Sequence, residues 1–145
     1  MNNETPGDVR PGHEAVYEQR VPLHDCDPLG IVWHGHYYKY LEIARTLLFE
    51  GLGIDVAFFQ KNEIRLVIME SRCRHSFPLR MGETLRVRAW FQDYEQRLKI
   101  AYHVHNLDHD RRAARAWTTL VATTPDETLL METPDAIANR IRTAP

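Results

Sequence analysis

The sequence predicts an α+β fold in which one long helix packs against an antiparallel sheet. Apolar residues at helical spacing run through one long stretch, from about His36 to Leu48. After it, several segments alternate apolar and polar residues, as strands with one buried face do. The gaps at 95–96 and 108–111 between these segments are short enough for hairpins. One helix followed by consecutive antiparallel strands gives a layered α+β protein, because the sheet covers the apolar face of the helix.

The first strand and the helix each follow from a local pattern. Residues 13–25 alternate loosely and predict a strand, which ends in a turn at Pro28 and Gly30. The helix is predicted to end at Gly51 and Gly53. One face of it is predicted to be buried, formed by Tyr37, Tyr40, Leu41, Ala44, Leu47 and Leu48.

Four further strands are predicted as a consecutive meander. A short connecting helix at residues 54–62 precedes them. The strands are predicted at residues 63–77, 84–94, 97–107 and 111–125, and a fifth is left open at residues 128–132.

The composition argues against several classes of protein. The 145 residues carry a net charge of -2 and contain no basic run, so no nucleic-acid partner is expected. No apolar stretch approaches the ~20 residues that span a membrane, so no membrane partner is expected either. Cys26 and Cys73 are far apart and lack zinc-type spacing, which favours a reduced, cytoplasmic location. We expect a disordered lead at residues 1–13, without a secretory signal, and a single domain at residues 14–145.

Groups that can transfer protons crowd into residues 24–38, HDCDPLGIVWHGHYY, just before the predicted helix. This stretch holds two carboxylates, a thiol and three histidines beside a proline and two glycines. The start of a helix offers free N–H groups and a partial positive charge, which stabilise an anion. A carboxylate just upstream could act as a nucleophile or as a general base on water, and the sequence leaves that choice open.

Residues 25–45, DCDPLGIVWHGHYYKYLEIAR, closely resemble the signature of the 4-hydroxybenzoyl-CoA thioesterase family, including its bacterial acyl-CoA thioesterase branch. Residues 77–87, FPLRMGETLRV, are similar to a connection in the same family. The resemblance covers residues 14–131. It implies the hotdog fold, in which a curved antiparallel sheet wraps around one long central helix. It also implies hydrolysis of CoA thioesters by homo-oligomers, dimers or tetramers, with sites at subunit interfaces.

The resemblance implies roles for individual residues. The catalytic carboxylate of the family falls on Asp27, and its oxyanion donor falls on the backbone N–H of His34. His36 stands where the family usually has Asn. Donors aimed at a developing oxyanion are worth ~10²–10³ in rate each. Because a thiolate is a good leaving group, an ionised aspartate suffices as a weak base at neutral pH.

The substrate-binding residues are predicted from their chemistry. The aromatic residues near the start of the helix, Trp33, Tyr37 and Tyr38, suit an aryl or a medium-length acyl group about equally, and His36 is also expected to bind the substrate. Arg97 is expected to bind the phosphates of CoA, with Arg72, Arg74 and Lys99 as further candidates. Acyl carrier protein stays open as an alternative acyl donor. No cofactor or metal is expected, because a carboxylate, water and helix-end amides complete a hydrolytic mechanism.

Other interpretations stay open. A hotdog dehydratase would use an acid on the central helix, where Glu42 and Glu50 are available. A non-catalytic acyl-thioester-binding module is the alternative from a different class. A serine esterase is not expected, because Ser71 and Ser76 lie in no Gly-x-Ser-x-Gly elbow. Asp25 is expected to support the turn, unless it joins a metal site formed by His24, Asp25, His34 and His36.

Overall fold

The computed structural model of this protein describes residues 14–144, so the predicted lead at residues 1–13 lies outside the described residues. Within that range the chain forms a five-stranded sheet and three α-helices, none of them long and apolar enough to cross a membrane. The elements in chain order are β1 (Glu14–Arg20), α1 (Tyr37–Glu50), α2 (Val56–Asn62), β2 (Arg65–His75), β3 (Thr84–Asp93), β4 (Leu98–Asn106), β5 (Arg111–Thr123) and α3 (Asp135–Arg142).

The strand order is β1-β3-β4-β5-β2, and every neighbouring pair is antiparallel. The α+β prediction is confirmed, and β3, β4 and β5 form a meander. The expectation that β2 belongs to the same meander is wrong, because β2 pairs with β5. Residues 76–83 carry the chain across the end of the sheet from β2 to β3, whereas the β3–β4 and β4–β5 connections are hairpins. The open fifth strand at residues 128–132 is reduced to a single bridge between Thr123 and Leu129.

Helix α1 packs its apolar stripe on one face of the sheet, here called the inner face. That face carries Val87, Tyr102 and Ala116, which are fully covered. On the helix side, Tyr40 and Ala44 are fully covered as predicted. Leu47, which was predicted on the buried face, is 39% exposed, because it lies roughly a quarter turn from the centre of the stripe.

A C-terminal helix, α3, ends the described chain and was not predicted from the sequence. Pro134 precedes its first turn, and Ile137, Ala138 and Ile141 are buried. This apolar spacing and the proline were a usable local signal. The Arg140 guanidinium donates hydrogen bonds of 3.1 Å to the carbonyls of Leu52 and Gly53, which ties α3 to the end of α1.

The connection between β1 and α1 lies against the connection between β2 and β3. The Val32 N–H donates to the Leu79 carbonyl at 2.8 Å, and the Gly82 N–H donates to the Val21 carbonyl at 2.9 Å. The chain that carries Asp27 is therefore held over one end of the sheet, at the entrance to α1.

Candidate active site

The Asp27 carboxylate is fixed by the turn that it begins. Its Oδ1 accepts the N–H of Leu29 at 2.8 Å and that of Ile31 at 3.4 Å. The backbone closes the same turn, since the Gly30 N–H donates to the Asp27 carbonyl at 2.9 Å. Gly30 has a φ of +81°, a conformation that other residues rarely adopt. Among residues 14–144 no group donates to Asp27 Oδ2, so one carboxylate oxygen is left for chemistry.

The chain enters α1 through one 3₁₀ turn, His34–His36, which presents amide groups. The Trp33 N–H donates to the Asp25 carbonyl at 3.0 Å, and the His36 N–H donates to the Trp33 carbonyl at 2.9 Å. No acceptor in the part of the chain that the structure describes receives the N–H groups of His34 and Gly35. Such groups at the start of a helix carry its partial positive charge and can bind an anion.

Asp27 and His34 line the same cleft, which has a volume of about 360 Å³. Tyr37, at the first position of α1, lines it as well. The remaining walls are Ile31, Val32, His75, Ser76, Phe77 and Pro78. The cleft thus combines the Asp27 carboxylate, His34 at the entry to α1 and a largely apolar wall.

His75 is a titratable lining residue that the sequence did not predict as part of the site. It lies at the end of β2, and its ring meets the Tyr37 ring edge to face, with centroids 4.4 Å apart. Burial, reinforced by the charge of nearby His34, lowers the pKa of His75, which favours the neutral imidazole at neutral pH. No local pattern marks this residue, because only the pairing of β2 with β5 brings it beside α1.

Ser76 lies in the cleft but is not arranged as a nucleophile. Its hydroxyl donates to the backbone carbonyls of Arg112 and Ala113, at 3.0 and 3.3 Å. This agrees with the absence of a nucleophile elbow from the sequence.

Trp33, His36 and Arg97, which were predicted to bind the substrate, do not line the cleft of a single chain. The Trp33 ring packs on the rings of His34 and His36, with centroids 5.1 and 5.3 Å away. It also covers Gly35, where an added Cβ would come within 2.2 Å of the indole. Arg97 lies in the β3–β4 turn beside Met69, at the end of the sheet opposite to Asp27. Closeness in sequence to Asp27 and to the start of α1 therefore did not predict which side chains line the cleft.

Asp25 fastens the turn to the first turn of α1. Its side chain is 1% exposed and accepts hydrogen bonds of 2.5 Å from Lys39 Nζ and the Tyr40 hydroxyl. Burial by itself raises the pKa of Asp25, but these two hydrogen bonds and the charges of Lys39 and His36 lower it below its ordinary value. Burial, together with the hydrogen bond to Asp25, raises the pKa of Tyr40. Asp25 is thus a buried, ionised anchor rather than a surface turn residue.

The rival assignments gain no geometric support. No group of three or more potential metal ligands occurs within residues 14–144. His24 is 83% exposed and lies 3.8 Å from an Asp25 oxygen that Lys39 already occupies. Glu42 and Glu50, the acids that a dehydratase could use, are exposed and do not line the cleft.

Comparison with known proteins gives the family. The Thioesterase-like superfamily matches this chain over residues 21–141. YneP of Bacillus subtilis, provisionally named an acyl-CoA thioesterase, is 30% identical over 95 residues, which are 65% of this chain and 69% of YneP. A Synechocystis protein provisionally named an esterase is 30% identical over 125 residues, which are 81% of this chain and 75% of that protein.

A solved structure gives the fold independently. The 1,4-dihydroxy-2-naphthoyl-CoA thioesterase from Synechocystis has a TM-score of 0.76 at 18% identity, over 90% of this chain and 96% of that one. The match to the superfamily spans both the turn at Asp27 and the sheet that packs on α1. On this evidence the chain belongs to the Thioesterase-like superfamily and has the hotdog fold.

Proposed function

We propose that this protein is a thioesterase that hydrolyses an acyl- or aryl-CoA thioester, as the 4-hydroxybenzoyl-CoA thioesterases do. The observation that carries this proposal is that Asp27 and His34 line the same cleft, and that the His34 N–H has no acceptor in the described part of the chain. The provisional name of YneP as an acyl-CoA thioesterase supports the same substrate class.

The chemistry needs two groups on opposite sides of a thioester carbonyl. The N–H of His34 donates a hydrogen bond to the carbonyl oxygen as it becomes an oxyanion. Asp27 Oδ2 attacks the carbonyl carbon, the C–S bond breaks, and the thiolate leaves with the electron pair. Water then hydrolyses the resulting anhydride. In the alternative route Asp27 takes a proton from water, and the hydroxide attacks the same carbon.

The walls of the cleft suit an apolar acyl group. Tyr37 and Phe77 are aromatic, and Ile31, Val32 and Pro78 add aliphatic surface. An aryl group can pack on these rings, which favours an aromatic acyl group over a short aliphatic one. Acyl carrier protein stays an alternative donor, since the cleft contacts only the acyl end.

A hydrolysis panel tests the function directly. Purified protein is incubated with short, medium, long and aromatic acyl-CoAs, and release of the CoA thiol is followed. The proposal expects saturable turnover of at least one class, with the aromatic thioesters fastest. Absence of turnover across the whole panel would reject it and favour a binding module or a carrier-protein substrate.

The protein is proposed to act as a homodimer at minimum, with a tetramer as the expected full assembly. Strand β2 is an edge of the sheet and pairs on one side only, with β5. Its central residues Val67, Ile68 and Met69 are 48%, 49% and 55% exposed. An apolar edge strand of this length pairs readily with a second copy. Antiparallel pairing of two β2 strands would also bring the Arg97 end of one chain towards the Asp27 end of the other.

Light scattering is expected to give a mass of at least twice 17.0 kDa at micromolar concentration. Ile68→Glu places a charge on the exposed edge and is expected to shift the protein towards monomer. Val56→Glu is the matched control, because Val56 is 72% exposed on α2 and outside the edge strand. A monomeric wild-type protein, or an Ile68→Glu variant with an unchanged mass, would contradict this dimer.

Hydrolysis is expected to need no metal or other cofactor, since the proposed steps use only Asp27, amides and water. Treatment with a chelator, followed by exchange into metal-free buffer, should leave kcat within about twofold of the untreated enzyme. Loss of activity that an added divalent ion restores would instead favour a metal-dependent mechanism.

A further inference from the structure

The sheet face turned away from α1, here called the outer face, carries a concentration of basic residues. Its apolar part is small, a separate cluster of Trp90, Ala101 and Trp117 that does not join the main core. Two arginines flank that cluster, since Arg72 and Arg115 lie 5.2 and 5.7 Å from the Trp117 ring. The rest of the face is formed by side chains that alternate with the inner-face residues along each strand.

The strand register places these basic residues directly opposite one another. One row across four strands reads Arg88, His103, Arg115, Arg74. The next row reads Glu18, Arg86, His105, Arg112. In the first row, Arg115 and Arg74 are directly opposite, and like charges in that arrangement destabilise a sheet. A negative charge bound at this face would offset that repulsion.

The chain supplies part of that compensation. On β1, Glu14 forms a bidentate ion pair with Arg88, and Glu18 pairs with Arg86 at 2.7 Å. In the hairpin between β4 and β5, an Asp110 oxygen lies 3.0 Å from His105 Nε2. Arg112, by contrast, forms no ion pair with any residue in the described range 14–144. The excess positive charge on this face is thus greatest away from β1, although the whole chain carries a net charge of -2.

The basic residues enclose a groove of about 320 Å³. Its lining consists of Arg86, Arg88, His103, His105 and Arg112. His103 is only 8% exposed and forms part of the floor, and no carboxylate is among the lining residues. Guanidinium groups match phosphate oxygens in pairs, and the volume lies within the range of small-molecule sites.

We propose that this groove binds a small anion that carries phosphate groups, at a site separate from the Asp27 cleft. The sheet lies between the two, because the cleft opens on the inner side with Tyr37 and His75. A second copy of this chain is a poor occupant, since a two-fold contact centred on the groove would bring arginine against arginine. A nucleic acid is also disfavoured, because the groove is short and the sequence contains no extended basic run.

Thermal unfolding with pyrophosphate or ADP, compared with sodium chloride at equal ionic strength, tests this proposal. Pyrophosphate represents free phosphate groups and ADP represents a nucleotide ester. We expect at least one of them to raise the melting temperature in a saturable way, in wild type and in Asp27→Asn alike. Arg112→Gln should weaken binding by on the order of tenfold, whereas Arg112→Lys, which keeps the charge, should lose less.

Arg65→Gln is the matched control. Arg65 is an exposed arginine at the start of β2, whereas Arg74 of the basic row is near the end of that strand, and Arg65 does not line the groove. The variant should keep the full shift in melting temperature. Equal shifts in Arg112→Gln and Arg65→Gln, or no shift beyond that of salt, would overturn the site. Pyrophosphate could also inhibit thioester hydrolysis competitively, and Arg112→Gln could relieve that inhibition. This result would show that the groove is part of the substrate site and would overturn the proposal that the two sites are separate.

Discussion

Asp27→Asn is expected to lower kcat for thioester hydrolysis by at least ~10²-fold, the low end for loss of a positioned base. The substitution keeps Oδ1, which can still accept the N–H groups of Leu29 and Ile31. It removes the negative charge and replaces Oδ2, which accepts no hydrogen bond from any described residue, with an NH₂ group. Because the turn and the cleft keep their shape, KM should stay within a few fold, so the loss should appear in kcat.

Asp55→Asn is a matched control for this experiment. Asp55 also accepts a backbone N–H through Oδ1, from Phe58 at 2.9 Å, but it caps α2 and does not line the Asp27 cleft. Its replacement by Asn should leave kcat nearly unchanged. A folded Asp27→Asn enzyme that keeps wild-type turnover would remove Asp27 from the mechanism. If wild type and variant both bind acyl-CoA and neither hydrolyses it, the protein is a binding module.

Asp25→Ala is expected to lower the free energy of unfolding by ~2–4 kcal/mol, the range for loss of a buried charged acceptor. The substitution leaves the fully buried Tyr40 hydroxyl without its acceptor. Because Lys39 is 42% exposed, water can partly replace its ammonium group beside Asp25, so Lys39→Met should cost less than Asp25→Ala. Urea unfolding of wild type, Asp25→Ala, Tyr40→Phe and Lys39→Met separates these contributions.

The same variant has a defined pH dependence. Since folding lowers the pKa of Asp25, its stabilisation is complete above the ordinary aspartate pKa of about 3.9. It is lost as the pH falls towards the lower pKa of the folded protein. The stability difference between wild type and Asp25→Ala should therefore shrink on acidification below about pH 4. A difference that stays constant or grows in acid would contradict an ionised Asp25.

Measurements of kcat distinguish the role of Asp25 from that of Asp27. Asp25→Asn keeps an acceptor for Tyr40, so at a temperature where the variant is folded its kcat should stay within a few fold of wild type. Inactivation of a folded Asp25→Asn enzyme, with Asp27→Asn still active, would reverse the assignment of the catalytic acid.

The sequence alone determined the features that depend on neighbours within a few residues. The stripe that contains Tyr40 and Ala44 predicted α1, because helical period is a local property. The Pro-Leu-Gly turn after Asp27 and the start of a helix soon after it predicted a carboxylate near free amides. The alternation in β3, β4 and β5, with short gaps between them, predicted their hairpins. The signal for α3 was equally local and was overlooked.

Only the tertiary structure decided which distant segments meet. The pairing of β2 with β5 is set by packing across the whole sheet, and it brings His75 into the cleft opposite Tyr37. The burial of Asp25 depends on how α1 packs against the turn that contains Asp25. The position of Asp25 in the sequence therefore could not distinguish it from an exposed turn residue. The basic rows on the outer face exist because the register aligns residues from four strands. Contacts of this kind depend on side-chain packing between remote segments, which no local pattern specifies.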